Sequence, residues 1–223
     1  MSKLIVIEGV DSSGKATQTE LLYNKLCDEF ECVHKLSFPN YESDSSSVVK
    51  MYLNGDFGSS ANSVSGYAAS TFFAVDRYAS VNGQWRDMFF GDGIVIADRY
   101  VTSNMVHQAS KISDASEKDE FLEWLYDFEY VKLGLPKPDL VIFLDMPVKF
   151  AQELMKNRKN KINQSDVKDI HESDAEYLNN SYNNAVGVAT KYGWHSVSCV
   201  KDGQVRTIDD ISREIYDKVK SIL

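Results

Sequence analysis

The sequence predicts an α/β fold in three layers, with a parallel five-stranded sheet and helices on both of its faces. Short apolar runs alternate with stretches of helical periodicity along the chain, an order typical of a parallel sheet covered on both sides. The 223 residues are 43% hydrophobic and 26% charged, ordinary values for a globular protein. No internal repeat or linker interrupts the pattern, so we predict one domain over residues 1–223.

The predicted strands are short apolar runs that end at polar or turn-forming residues. They cover residues 4–7, 33–38, 94–97 and 140–144, with a short fifth strand near Val197. Pro39 ends the second strand because proline has no amide hydrogen to donate. Asp98 closes the third strand, which places a carboxylate at the edge of the sheet.

The predicted helices carry apolar residues at spacings of three and four. They cover residues 15–30, 67–80, a stretch around 121–128, 148–157, 174–192, and the chain after Thr207. We expect Thr207 to cap the last helix, with Asp210 at the second position of a capping box. Residues 41–65 are rich in Ser, Asn, Asp and Gly and predict one short helix over a site, and residues 158–171 have the composition of a lid.

Composition and charge exclude several classes of protein. The formal net charge of −9 argues against broad electrostatic binding of nucleic acid, so an anionic ligand needs a local positive site. No apolar run approaches the roughly 18 residues that span a bilayer. The three cysteines have no metal-ligand spacing and nothing resembles a signal peptide, which favours a reducing compartment. We expect a cytoplasmic protein that binds neither nucleic acid nor a membrane.

A phosphate-binding loop follows the first strand directly. It reads Gly9-Val10-Asp11-Ser12-Ser13-Gly14-Lys15-Ala16 and matches the motif G-x-x-x-x-G-K, with a strand before it and a helix after it. Glycines allow the amide groups to turn inward, and Lys15, expected to be exposed, can reach the β- and γ-phosphates. This loop and Thr17 are therefore predicted to bind ATP. The alternative is a glycine-rich turn with a surface lysine.

The predicted metal site lacks one usual ligand. The position after the loop lysine normally carries a Ser or Thr hydroxyl that touches magnesium, and here it is Ala16. Mg²⁺ would then be held by phosphate oxygens, water and carboxylates. Asp98 is the predicted carboxylate. Asp145 ends the fourth strand in the same way, but a helix N-cap is an equal alternative for it.

Several classes of phosphate-loop protein are consistent with this motif. A GTP-binding switch is disfavoured because the nearest string to N-K-x-D, Asn160-Lys161-Ile162-Asn163, lacks the Asp. Another nucleoside or nucleotide kinase remains an alternative. So does a protein that couples ATP binding to a partner without phosphoryl transfer.

Three further motifs resemble the thymidylate kinase family of phosphate-loop nucleoside monophosphate kinases. They are Phe38-Pro39, Phe73-Ala74-Val75-Asp76-Arg77 and Asp98-Arg99-Tyr100, and the resemblance runs from Leu4 through the final helix. It implies a phosphate-loop kinase fold with a lid at about 158–171. It also implies phosphoryl transfer from ATP to dTMP, Mg²⁺ as cofactor and a homodimer.

The resemblance also implies roles for acceptor-site residues. Phe73 would stack on thymine, and Arg77, one helical turn later, would donate to its exocyclic oxygen. Asn104 would contact the Watson–Crick edge, and His107 would lie near the sugar and favour deoxyribose. The other residues assigned to dTMP are Asp11, Phe38, Pro39 and Arg99, of which Arg99 would hold the phosphate. Packing remains the alternative for Phe73 and His107, and an ion pair for Arg99.

Two departures from the family pattern change the predicted catalytic groups. Tyr41 stands where many members carry an arginine for the acceptor phosphate, so a hydroxyl, Lys50 or another base would substitute. The phosphate loop contains no arginine, and members of this type use basic lid residues instead. Arg158 therefore joins Lys15, Arg99 and Asp11 as a predicted catalytic residue. The alternative for the basic lid cluster is a solvated charged run.

Overall fold

A computed structural model describes residues 2–155 and 175–223. Its centre is a parallel five-stranded sheet, as predicted. The strands are β1 (Lys3–Glu8), β2 (Val33–Ser37), β3 (Ile94–Asp98), β4 (Leu140–Asp145) and β5 (His195–Ser198). Their order is β2-β3-β1-β4-β5, which puts β1 and its following loop in the middle. In this register Ile7 pairs with Asp98, so the two functional strand ends are neighbours.

Helices surround the sheet, and two of them, over Arg86–Phe90 and Val101–His107, were missed by the sequence reasoning. The bounds are α1 (Lys15–Cys27), α2 (Ser47–Leu53), α3 (Gly66–Asn82), α4 (Arg86–Phe90), α5 (Val101–His107), α6 (Ala115–Tyr126), α7 (Val148–Met155), α8 (Ala175–Lys191) and α9 (Ile208–Lys220). After α6 the chain continues as a π-helix over Asp127–Lys132. Strands β6 (Val200–Lys201) and β7 (Gln204–Val205) form a small antiparallel hairpin.

The core lies on both faces of the sheet because successive strand side chains point to opposite sides. Leu4 and Val6 of β1 pack with the aromatic side chains of α4 and α6. Ile5 and Ile7 pack on the other face with apolar residues of α1 and α9. Both layers of helices are thus held by burial of apolar surface.

Two predictions of local structure have different outcomes. The Thr207 cap is confirmed, since its hydroxyl accepts a hydrogen bond from the Asp210 amide at 3.2 Å. The second half of the capping box does not form, because the Asp210 carboxylate binds Arg206 instead.

The predicted lid at 158–171, with Arg158, lies outside the described residues. Within the two described ranges no helix is long and apolar enough to cross a bilayer.

Candidate active site

The phosphate loop turns tightly between β1 and α1. A side chain at Gly9 would approach the carbonyl oxygen of Leu144 to 3.1 Å, so this position needs glycine. Gly14 has a left-handed backbone (φ 92°) at the start of α1, which glycine adopts without strain. Val10 and Ser13 are buried, whereas Asp11 and Ser12 remain partly accessible. The loop therefore has the curled form that the motif predicts.

Lys15 is buried, with only 4% of its surface exposed, so the expectation of an exposed lysine is wrong. Its Nζ atom donates to the carbonyl oxygens of Gly9 (2.8 Å) and Val10 (2.7 Å). These bonds fold the side chain back over its own loop. The ammonium group is therefore already held at the loop where phosphate oxygens would bind.

A cavity of about 650 Å³ opens beside the phosphate loop. One side is formed by the loop and the first turn of α1, including the exposed residues Ala16 and Thr17. The other side comes from β4–α7, the β6–β7 hairpin and α9: Met146, Leu154, Val205, Arg206, Ile208 and Ile211. A polar loop facing a wall that is apolar apart from Arg206 suits a ligand with a phosphate tail and a flat apolar ring.

Asp98 lies at the carboxyl end of β3, next to the end of β1. Its side chain is buried, and its Oδ1 atom has no hydrogen-bond partner among the described residues. The described ranges contain no group of three acidic, His or Cys side chains that could enclose a metal. One carboxylate is enough for Mg²⁺, which commonly keeps several waters and takes phosphate oxygens as ligands. Asp98 thus fits the predicted role. Asp145 instead accepts a bond from the Tyr182 hydroxyl at 2.8 Å.

Arg99 joins the phosphate loop to α5. Its Nη2 atom donates to Asp11 Oδ1 at 2.5 Å, and its Nη1 atom donates to Ser103 (3.2 Å) and to His107 Nε2 (2.9 Å). A carboxylate oxygen of Glu8 lies 3.6 Å from Nη1. Arg99 has φ 70°, an uncommon backbone conformation for a residue with a side chain. Such strain persists where the surroundings over-determine it and is concentrated at functional sites.

The charges around Arg99 keep its guanidinium protonated. Burial by itself would lower the pKa of Arg99, but the carboxylates of Asp11, Glu8 and Asp98 raise it above its ordinary value. Tyr41 contributes in the same direction. The arginine is therefore a permanent cation at the border of the loop.

His107 faces this arginine through Nε2. Arginine can only donate hydrogen bonds, so Nε2 must be the accepting nitrogen and a neutral imidazole would carry its hydrogen on Nδ1. The ring also stacks on Tyr177, with 6.3 Å between the ring centres. His107 therefore belongs to the Arg99 cluster, and its proposed contact with the sugar stays a prediction.

The predicted base-binding side chains meet around one carboxylate that the sequence analysis did not identify. Arg77 donates from Nε and Nη2 to the two oxygens of Glu129, both at 2.6 Å. Asn104 donates from Nδ2 to Glu129 Oε1 (2.8 Å) and to the carbonyl oxygen of Ser70 (3.2 Å). Arg77 is 2% exposed and Glu129 is 0% exposed. We call Arg77, Asn104 and Glu129 the base cluster.

The other residues predicted to bind the acceptor, Phe73, Phe38 and Pro39, differ in their burial. Phe73 is half-buried on α3, one turn before Arg77, with its ring edge-on to Tyr52. Phe38 is 2% exposed and packs edge-on against Trp85, so its ring belongs to the core. Any contribution of Phe38 to the site comes from its backbone. Pro39, which follows a cis peptide bond, is half-buried.

Comparison with known proteins identifies the family of this site. A family model described as thymidylate kinase matches residues 7–199. The chain belongs to the thymidylate kinase family. The thymidylate kinase of Mycobacterium tuberculosis (strain ATCC 25618 / H37Rv) is 34% identical over 174 residues, which cover 78% of this chain and 79% of that protein. The thymidylate kinase of Plasmodium falciparum (isolate 3D7) is 26% identical over 220 residues, 99% of this chain and 90% of that protein.

A solved structure supports the same fold. The thymidylate kinase from Candida albicans superimposes with a TM-score of 0.70 at 21% identity, and the match covers 99% of this chain and 92% of that chain. The predicted phosphate-loop kinase fold is confirmed.

Two buried carboxylates of this thymidylate kinase family member were missed by the sequence reasoning. Glu8 accepts bonds from the Gly9 amide and from the hydroxyls of Thr102 and Ser103. Glu8 is the last residue of an apolar strand, and a charged residue at such a position could have been identified from the sequence. Glu129 follows Phe128 in a helical stretch and gave a weaker signal, because its partners are far away in the sequence.

Proposed function

We propose that the chain transfers the γ-phosphoryl group of ATP to dTMP, which forms dTDP and ADP. The observation that carries this proposal is the contact between Asp11 and Arg99. Arg99 also donates to Ser103 and His107 and so links the phosphate loop to α5, the helix that also carries Asn104. A donor site at the loop and an acceptor site at α5 would therefore meet at Arg99.

Phosphoryl transfer requires alignment and charge neutralisation more than covalent chemistry. Lys15 would exchange its bonds to the Gly9 and Val10 carbonyls for oxygens of the β- and γ-phosphates. Arg99 would hold the acceptor phosphate with its planar guanidinium, and Tyr41 would offer a hydroxyl in place of the usual arginine. That phosphate is already ionised near neutral pH, so we assign no general base.

The donor nucleotide would occupy the 650 Å³ cavity beside the loop. The apolar wall, with Met146, Leu154 and Ile211, suits a purine ring. Mg²⁺ would be held by Asp98 together with phosphate oxygens and water, and it would neutralise charge on the β- and γ-phosphates. Arg158 from the predicted lid would add a cation for the transition state.

The acceptor base would lie between Phe73 and the base cluster. Arg77 has five N–H donors, of which three bind Glu129 and the carbonyl oxygen of Tyr100. The remaining donors suit an exocyclic carbonyl oxygen such as O4 of thymine. Cytosine carries its own donor at this position, so the site would favour thymine.

We further infer that the chain is one catalytic domain and acts as a homodimer in the cytoplasm. Val75 and Tyr78 are exposed on α3 (58% and 46%), and a second copy could cover them. Cys27, Cys32 and Cys199 form no disulfide, which suits a reducing compartment. Light scattering coupled to gel filtration tests the dimer, and a monomeric mass would contradict it.

A coupled assay of ADP release tests the proposed function. It compares dTMP, dUMP, UMP, dCMP, AMP and thymidine as acceptors, with ATP and Mg²⁺ in excess. We expect dTMP to have the highest kcat/KM. Faster turnover of dCMP or AMP would indicate another nucleotide kinase, and faster turnover of thymidine a nucleoside kinase. ADP release that needs no acceptor would reject phosphoryl transfer to a nucleotide.

A further inference from the structure

Glu129 binds both polar side chains that the proposed function assigns to the base. It lies on the π-helix after α6, and its carboxylate reaches Arg77 on α3 and Asn104 on α5. π-Helical turns are rare and occur frequently at functional sites. The carboxylate is completely buried, so this arrangement is fixed by the core rather than by solvent.

The contacts of Asn104 determine which end of its amide faces which neighbour. Both neighbours of Nδ2, the Ser70 carbonyl oxygen and the Glu129 carboxylate, accept hydrogen bonds. Only the NH₂ end of the amide can satisfy them, and the reverse orientation would place Oδ1 against two acceptors. Oδ1 takes no hydrogen bond from any residue in the described ranges. The available end of Asn104 is therefore an acceptor.

An acceptor at this position distinguishes the pyrimidine bases. Thymine and uracil carry a hydrogen on N3 that can donate to Oδ1, whereas N3 of cytosine is itself an acceptor. Cytosine would place two acceptors against each other, and a polar group left without a partner in a buried site is costly. If the amide could turn, Nδ2 would bind cytosine N3 equally well and this part of the selection would be lost.

We propose that Glu129 is a positioning residue that fixes the amide orientation of Asn104 and thereby selects acceptor bases with a hydrogen on N3 over cytosine. This inference rests on the proposed function. Arg77 keeps Glu129 in place, because its guanidinium binds the carboxylate through two hydrogen bonds and compensates its buried charge. Glu129 acts through Asn104 and does not itself touch the base.

The first test is the isosteric variant Glu129→Gln. Glu129 Oε1 accepts from both Arg77 and Asn104, so the new amide would present to Asn104 either an uncharged oxygen, which holds Nδ2 less strongly, or an NH₂ group, which favours the reverse orientation. Both outcomes weaken the preference for one amide orientation of Asn104. We expect the ratio of kcat/KM for dTMP over dCMP to fall at least tenfold. A ratio within twofold of the wild-type value, or an equal loss for both acceptors, would overturn the proposal. Glu123→Gln, an exposed residue of α6, is the matched control and should leave the ratio unchanged.

A double-mutant cycle tests whether Glu129 acts through Asn104. In an Asn104→Ala background, Glu129→Gln should change the dTMP to dCMP ratio less than twofold. A tenfold change in that background would overturn the proposal, because Glu129 would then select the base without Asn104.

Glu129→Gln removes the negative charge that pairs with Arg77, and the protein would then fail to fold if this charge is essential. A second variant keeps the test valid in that case. Arg77→Met/Glu129→Met removes both charges, and replacing a buried ion pair by apolar side chains is often tolerated. In the wild type, Asn104→Ala should strongly lower the ratio of kcat/KM for dTMP over dCMP. In the Arg77→Met/Glu129→Met background, the same substitution should change this ratio less than threefold. An equally strong effect in both backgrounds would overturn the proposal.

Nucleotide-induced shifts of the melting temperature separate this inference from the proposed function. They compare dTMP with dCMP in the absence of ATP. A wild-type protein that is stabilised more by dTMP but does not phosphorylate it would refute the proposed function alone, and the Glu129→Gln shifts would still test the base selection. A wild-type protein that phosphorylates dTMP, with an unchanged ratio in Glu129→Gln, would refute the inference alone.

Discussion

Replacing Arg99 should affect stability and catalysis together. In Arg99→Met the carboxylates of Asp11 and Glu8 lose their common cation, and the side chains of these two residues are 12% and 0% exposed. Removing one partner of a buried ion pair costs about 3–5 kcal/mol. Because the Arg99 side chain is 13% exposed, we expect the lower end, about 3 kcal/mol. For a chain of this length the melting temperature should fall by about 6–12 °C.

Arg99→Met should also lower activity by more than the loss of folded protein can explain. Arg99 is proposed to hold the acceptor phosphate, and removing a preorganised charged or hydrogen-bonding group from a reaction centre typically costs roughly 100-fold or more in rate. Steady-state kinetics at 25 °C, below the melting transition, should therefore show kcat/KM for dTMP at least 100-fold lower. Arg86→Met is the control, since Arg86 is an exposed arginine whose guanidinium binds Asn82. A melting temperature within 2 °C of the wild type, together with kcat/KM within threefold, would refute the role of Arg99.

Four further outcomes are expected. Lys15→Ala should lower kcat at least about 100-fold with an unchanged far-UV circular dichroism spectrum, and normal turnover would mean that the loop is only a turn. His107→Gly should lower the dUMP to UMP ratio of kcat/KM, whereas an unchanged ratio would return His107 to a packing role. Arg158→Ala should lower kcat much more than it raises the KM for dTMP, and near-normal kcat would remove this residue from the catalytic groups. Burial lowers the pKa of Lys111 to about 8, so the unfolded chain binds more protons between that pH and the ordinary lysine value. Relative to Lys111→Met, the wild-type free energy of unfolding should therefore gain about 1.5 kcal/mol from pH 8 to 9.5 in urea titrations, because the Cys199 thiol, whose raised pKa acts in the opposite direction, is common to both proteins. An equal pH dependence in the two proteins would contradict this assignment.

The elements that the sequence predicts well are those whose signals are local. The apolar run before Gly9 and the spacing to Lys15 are sufficient to place a strand, a phosphate loop and a helix. Thr207 correctly predicts where α9 begins, because its side chain caps the first turn of the helix. The five strands are found because a parallel sheet buries both faces and leaves continuous apolar runs.

The features that the sequence reasoning missed depend on contacts between distant residues. The spacing of Phe73 and Arg77 places them on one helix face, but it does not show that Arg77 binds Glu129, 52 residues further along the chain. The burial of Lys15 depends on carbonyl oxygens of its own loop, which only the folded turn directs at Nζ. The short helix α5 carries polar side chains that bind Arg99 and Glu129, so it lacks a clear apolar period.

The most direct test of the central claim follows the transferred phosphate. The protein is incubated with dTMP, Mg²⁺ and ATP labelled at the γ-phosphate, and the labelled products are separated. The proposed function predicts that the label appears in the β-phosphate of dTDP, in equal amount to the ADP formed. Label released as inorganic phosphate, at a rate that dTMP does not change, would contradict it.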